Sequence, residues 1–334
     1  MTKLQLSQEK FDHLNRLSNG EQVIAALAID QRGALKRLLA VAAGSSEFGD
    51  EILVDFKQLI SSNLTPYASS ILLDVEYGVS ASELRHADCG FIAAYEKTGY
   101  DASTPGRLPD LLPNWSVKRI KDLGADAVKI LLYYDVDDTP EINDIKQAWV
   151  ERIGSECIAE NIPYFVEILT YDASDMDVTS REYAAIKPHK VNGAMYEFSK
   201  PRYNADVLKV EVPVNMNFVE GYTEEEPVYT VEQAKAYFKE QADSTHLPFI
   251  FLSAGVSAAL FQETLIFAKD AGSNFNGVLC GRATWKDGVA IFASQGEEAA
   301  KAWLADQGRQ NMEELNAVLV ETACPWTDKV EVVD

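Results

Sequence analysis

The chain is poor in histidine, cysteine and basic residues, and each shortage closes off a class of chemistry. Its four histidines, His13, His86, His189 and His246, lie far apart, none at ligand spacing from another. A zinc enzyme needs a cluster of such ligands, so no metal and no other cofactor is expected. The four cysteines, Cys89, Cys157, Cys280 and Cys324, form no CxxC pair. That argues against a disulfide framework and for a reducing compartment, the cytoplasm. Lys and Arg number 30 against 52 Asp and Glu, a net charge of −22. Such an acidic surface repels phosphate backbones and anionic lipid, so neither nucleic acid nor membrane is an expected partner. No apolar run approaches the roughly 20 residues of a membrane span, and the start MTKLQLSQEKFDHL lacks a signal-peptide core. A GxSxG nucleophile elbow is missing, as is a Gly-rich dinucleotide loop after the first strand.

What the sequence does hold is a repeated pattern over 334 residues. Short apolar runs at 23–30, 70–74, 90–95, 127–134, 164–170, 207–214, 249–255 and 277–281 read as strands. Helical stretches lie between most of them, for example 116–123, 142–160, 231–242 and 258–271. Eight strand–helix units predict an α/β protein built as a single (β/α)8 TIM barrel spanning 1–334, with additional terminal helices at 1–20 and 306–323. An open doubly wound sheet is the alternative. Segments 99–114 and 218–229, rich in proline and in glutamate respectively, read as long loops suited to a lid or an interface. The tail 327–334 is expected to be loosely held. Barrel enzymes are often symmetric homo-oligomers, a dimer being the commonest form, and the apolar stretch 330–333 either frays or docks on a neighbour.

Strand parity carries the functional signal. Side chains alternate faces along a strand. In 207–214, Leu208, Val210, Val212 and Val214 share one face and Lys209 and Glu211 the other. Lys129 opposes Val128, Ile130 and Leu132; Glu167 lies with Phe165 and Leu169; Asp30 lies with Ala26 and Ala28. The aliphatic face of a barrel strand packs on helices, so these four charges are expected to point inward. Buried charges are costly unless paired, and four with matching parity predict a catalytic cluster. Asp74 and Glu76 extend the candidate list.

Two lysines and two carboxylates inside a barrel suit Schiff-base chemistry. A buried lysine beside another cation loses its proton more easily, and a neutral amine attacks a ketone to give an iminium, an electron sink for carbon–carbon cleavage. Carboxylates such as Glu167 and Asp30 can move the protons. Parity alone does not choose between Lys129 and Lys209. The loops after the last two strands, with Ser253 and Gly255 in one and Gly281 and Arg282 in the other, stand where barrels bind phosphate.

The stretches AIDQRGAL (28–35), AVKI (127–130), VEI (166–168), VLKVEV (207–212), LSAGV (252–256) and CGRATW (280–285) resemble the bacterial tagatose-1,6-bisphosphate aldolases of lactose and galactose breakdown. The resemblance runs nearly the whole chain. It implies a class I, metal-free aldolase that cleaves a ketose bisphosphate to dihydroxyacetone phosphate and glyceraldehyde 3-phosphate, loose enough at its hydroxyl stereocentres to accept fructose 1,6-bisphosphate. It further implies that Lys209 carries the Schiff base and that Glu167 shuttles protons, while Asp30 and Lys129 hold substrate hydroxyls and tune Lys209. By the same resemblance Ser253, Gly255, Gly281 and Arg282 hold the phosphate next to the ketone. Gln31 and Arg32, just past the first strand, are placed at the substrate from their position, Arg32 as a candidate for the distal phosphate. The alternatives are another Schiff-base sugar-phosphate aldolase or isomerase, or a regulatory protein that senses sugar phosphates on an aldolase scaffold.

Overall fold

The computed structural model describes residues 3–44, 49–97 and 104–333. Eight parallel strands close into a barrel in chain order: β2 (Ile24–Ala28), β3 (Ser70–Asp74), β4 (Gly90–Ala94), β5 (Ala127–Tyr134), β6 (Tyr164–Thr170), β7 (Val207–Val210), β8 (Phe249–Leu252) and β9 (Gly277–Cys280). Closure rules out the open doubly wound sheet. Two short strands outside the barrel, β1 (Leu4–Leu6) and β10 (Val330–Val332), pair parallel with each other.

Parity divides the core in two, as the alternation requires. Leu27, Phe91, Val128, Val166, Leu208, Phe251 and their neighbours pack outward against the helices. Ala26, Leu72, Ile92, Phe165, Ile250 and Leu279 pack inward. Some helices start at well-formed caps: Thr139 precedes Pro140 on Pro140–Ala159, and Thr230 and Gln233 form a capping box on Val231–Asp243.

The inward cluster also contains Leu6, Leu14, Leu17, Trp326 and Val330. The two chain ends together thus plug the N-terminal mouth of the barrel. This corrects the reading of the tail as loose over 327–333, Asp334 lying outside the described residues: Val330 is buried, and Leu4 pairs with Val330, Gln5 with Glu331 and Leu6 with Val332. The apolar stretch pairs with this chain's own N-terminal strand. That pairing partner is over 300 residues away, so no local pattern could reveal it.

Several boundaries also move. The segment read as a first helix holds β1 and then Gln8–Arg16, capped by Ser7; the last long helix runs Arg309–Thr322. Strand β7 stops at Val210, and Glu211 turns away to accept hydrogen bonds from the backbone N–H and hydroxyl of Thr170, both at 2.7 Å. Strand β8 stops at Leu252 because Ala254 and Gly255 adopt left-handed backbone angles. Of the two long loops, 99–103 lie outside the described residues, while Leu111 bridges to Glu96 and Val219 to Tyr229.

Candidate active site

The open, C-terminal end of the barrel gathers the four charges that parity singled out. Lys209 of β7 stands in register with Glu167 of β6, and its Nζ lies 2.6 Å from Glu167 Oε1. The other oxygen of that carboxylate, Oε2, lies 2.6 Å from Nζ of Lys129 on β5. Lys129 also meets Asp30 Oδ2 at 3.0 Å and Glu96 Oε1 at 3.1 Å. One carboxylate therefore bridges two lysines, and the lysines are unequal. Lys129 is fully buried among three carboxylates, whereas among the described residues Lys209 has one.

The electrostatics follow from that arrangement. Burial alone would push Lys129 down, but Asp30, Glu167 and Glu96 outweigh it and hold it well above the usual lysine range. Burial would raise Asp30, yet Lys129 and Lys209 carry it well below the ordinary carboxylate value. Glu96 goes the other way: its burial prevails over Lys129 and Arg32 and raises it.

Glu96 was missed by the sequence reading, although parity pointed to it. It falls two residues past Ala94 on the inward face, just beyond the strand's expected end. Lys57 was missed too. It sits among Leu53, Phe56, Ile60 and Leu64 on the buried side of Glu51–Leu64, and a lone lysine on an apolar helix face was the available signal. Its Nζ donates to the carbonyls of Ile29 and Gln31 at 2.5 and 2.9 Å and lies 2.6 Å from Asp74 Oδ2. It pins the segment that presents Asp30. Asp74 is thereby a buried support beneath the site, and its Oδ1 accepts from the backbone of Glu76 and Tyr77.

The phosphate candidates converge on the adjoining rim. Gly255, at φ +83°, lies so close to Arg282 that a Cβ would stand 3.0 Å from the guanidinium. Gly281 lets β9 approach β2, since a Cβ there would stand 2.9 Å from the Ala28 carbonyl and 3.4 Å from Gln31 Nε2. The helix Arg282–Gln295 begins here with no side chain capping it, leaving N–H groups directed at the rim. Ser253 is buried beside Cys280, whose thiol burial pushes up to about 12. Arg32 is buried and engaged: it donates to Glu76 at 2.5 Å and to the Glu96 carbonyl at 2.9 Å.

Among the described residues no group of three His, Cys, Asp or Glu is arranged to hold a metal; the three carboxylates that do converge have Lys129 at their centre. His13 pairs with Asp126 at 3.1 Å and His189 with Asp137 at 2.9 Å, both away from Lys209.

Residues 24–287, from the first barrel strand into the helix after the last, match the DeoC/LacD family aldolases. The chain belongs to that family. It is 60% identical over 329 residues to tagatose 1,6-diphosphate aldolase 2 of Enterococcus faecalis, covering 98% of this chain and 99% of that one. It is 58% identical over 329 residues to tagatose 1,6-diphosphate aldolase of Staphylococcus epidermidis, covering 98% and 100%. A fructose-bisphosphate aldolase from Plasmodium falciparum, solved with TRAP and an inhibitor, superposes with TM-score 0.70 at 15% identity over 97% of this chain and 99% of that one. That likeness establishes a shared barrel.

Proposed function

We propose that this aldolase cleaves D-tagatose 1,6-bisphosphate to dihydroxyacetone phosphate and D-glyceraldehyde 3-phosphate through a Schiff base on Lys209. The observation that carries the reading is the Glu167 carboxylate held 2.6 Å from both lysines. A nucleophilic amine must give up its proton, and of the two lysines Lys209 has fewer carboxylates opposing that loss. It attacks the C2 ketone; Glu167 protonates the carbinolamine oxygen, which leaves as water. Glu167 then takes the proton of the C4 hydroxyl, the C3–C4 bond breaks, and its electron pair passes into the iminium to give an enamine. Glyceraldehyde 3-phosphate departs, the enamine is protonated at C3, and hydrolysis frees dihydroxyacetone phosphate and the amine. Lys129, fixed and charged, supplies positive potential and with Asp30 contacts the hydroxyls. Ser253, Gly255, Gly281 and Arg282 take the phosphate next to the ketone, with Gln31 beside them.

The names of the relatives support tagatose bisphosphate as substrate. The reading extends to fructose 1,6-bisphosphate, and to a cytoplasmic homo-oligomer in which the whole chain is one domain. Among the described residues no helix is long and apolar enough to cross a membrane. Coupled assay of triose phosphate from each bisphosphate, in excess EDTA, tests the reaction. Cleavage of both is expected, and a complete loss restored by zinc would refute the metal-free mechanism.

A further inference from the structure

A bisphosphate carries a second anion on the far side of the bond that breaks. We infer that Arg107 holds it. The inference rests on the reading above, in which Arg282 takes the phosphate next to the ketone.

The barrel mouth is crowded with cations, many of them committed to carboxylates, while Lys146 beside Tyr171 donates to that residue's hydroxyl. Lys57, Lys129, Lys187, Lys190 and Arg32 each pair with carboxylates. Arg282 and Arg107 stand outside these pairs. Their placement is complementary. Arg282 follows β9, and Arg107 lies 5.3 Å from the ring centroid of Tyr133 on β5 and 4.8 Å from that of Tyr171, just past β6. In a ring of eight strands β9 and β5 stand diametrically opposite, with β7 and its Lys209 midway between them. A sugar chain anchored at Arg282 and Arg107 therefore crosses the mouth past Lys209 and Glu167. Arg32, which follows β2, is on the wrong side for this: β2 is the immediate neighbour of β9. An anion there would also face Glu76 and Glu96.

The local chain is built to present Arg107. Thr104-Pro-Gly-Arg107 closes a turn in which the Arg107 N–H donates to the Thr104 carbonyl at 3.1 Å. Proline at the second position and Gly106 at φ +81° at the third are what a type II turn requires. The turn rests against Ile142 of Pro140–Ala159, which a Cβ on Gly106 would meet at 2.7 Å. Stacking on two tyrosines holds the guanidinium plane by its face and leaves its N–H edge for a bidentate contact with phosphate. Tyr133 lies on the inward face of β5, within electrostatic reach of Glu167 and Lys129, so the stacked arginine belongs to the catalytic chamber.

The test compares ketose 1,6-bisphosphate with the ketose 1-phosphate that lacks the distal anion. In Arg107→Ala, the ratio of kcat/KM for the bisphosphate to that for the 1-phosphate should fall about 10- to 100-fold, mostly through KM. Arg107→Lys, which keeps the charge and loses the bidentate geometry, should recover part of the ratio. An unchanged ratio in Arg107→Ala, or equal losses on both substrates, overturns the assignment. Borohydride trapping of dihydroxyacetone phosphate, which has no distal phosphate, is run alongside. Trapping on Lys209 with an unchanged ratio sinks Arg107 alone, whereas no trapping on any lysine of the unmodified protein sinks the reading beneath it.

Discussion

The two ends of the barrel both bury charge, and they do it differently. At the closed end buried carboxylates are held by a cation and a strand-start backbone N–H together. Asp206 accepts from Lys10 at 2.7 Å and from the Tyr164 backbone at 2.8 Å. Asp126 accepts from Arg16 at 2.6 Å and from the Phe91 backbone at 3.0 Å. Those pairs stitch the plug of terminal segments to the strand starts. At the open end Glu167 has no such private arrangement: its two oxygens are divided between Lys209 and Lys129. A carboxylate fixed by a cation and a backbone N–H holds a fold together, while one shared between two amines can release one of them and pick up a proton.

Substitutions at the two ends should therefore fail in different ways. The largest effect is expected from Lys209→Met, which brings cleavage to background while leaving Glu167 paired with Lys129, so that stability changes little. Residual turnover above background would show that another amine can serve. Lys10→Met should do the reverse. It strands the Asp206 carboxylate in the interior, at a cost of about 3–5 kcal/mol in denaturant unfolding, while kcat per folded molecule stays near that of the parent. If the stability losses of the two variants were interchanged, the contrast between the ends would be wrong.

Arg282→Ala should be milder. One charge-assisted hydrogen bond to an anion is worth about 1.5–3 kcal/mol, so kcat/KM should drop roughly 10- to 150-fold. Unaltered kinetics would remove Arg282 from the phosphate site.

The smallest effect lies in acid stability, where Asp30 and Glu96 oppose each other around the same lysine. Asp30 is depressed in the fold. The unfolded chain thus takes up its proton first, near pH 4, and the stability this group lends is present above that and lost as pH falls through the folded value. Asp30→Asn should make the loss on acidification shallower. Glu96 is raised in the fold, so what it lends is present below its unfolded value and lost as pH rises through the folded one. Glu96→Gln should steepen the acid limb instead. Urea midpoints measured from pH 3 to 7 decide, and like-signed changes in both variants would contradict the assignment.

The eight strands and the inward placement of Asp30, Lys129, Glu167 and Lys209 were legible because both rest on a local rule, the two-residue alternation of a strand. Glu211 broke that rule at once where β7 ended, and Glu96 obeyed it one residue too late to be counted. Lys57 and Arg107 were out of reach of strand parity, since one comes from a helix and the other from a turn seated on two aromatic rings. The pairing of β1 with β10 depends on contacts between chain ends, and nothing in either short segment announces its partner.

The central claim is that Lys209, the less encumbered of two inward lysines, forms the covalent bond. It is tested most directly by reducing the protein with borohydride in the presence of dihydroxyacetone phosphate and mapping the modified peptide by mass spectrometry. The account predicts one adduct, on Lys209, that persists in Lys129→Met and disappears in Lys209→Met. An adduct on Lys129 would reverse the roles of the two lysines, and no adduct on any lysine would contradict the Schiff-base mechanism itself.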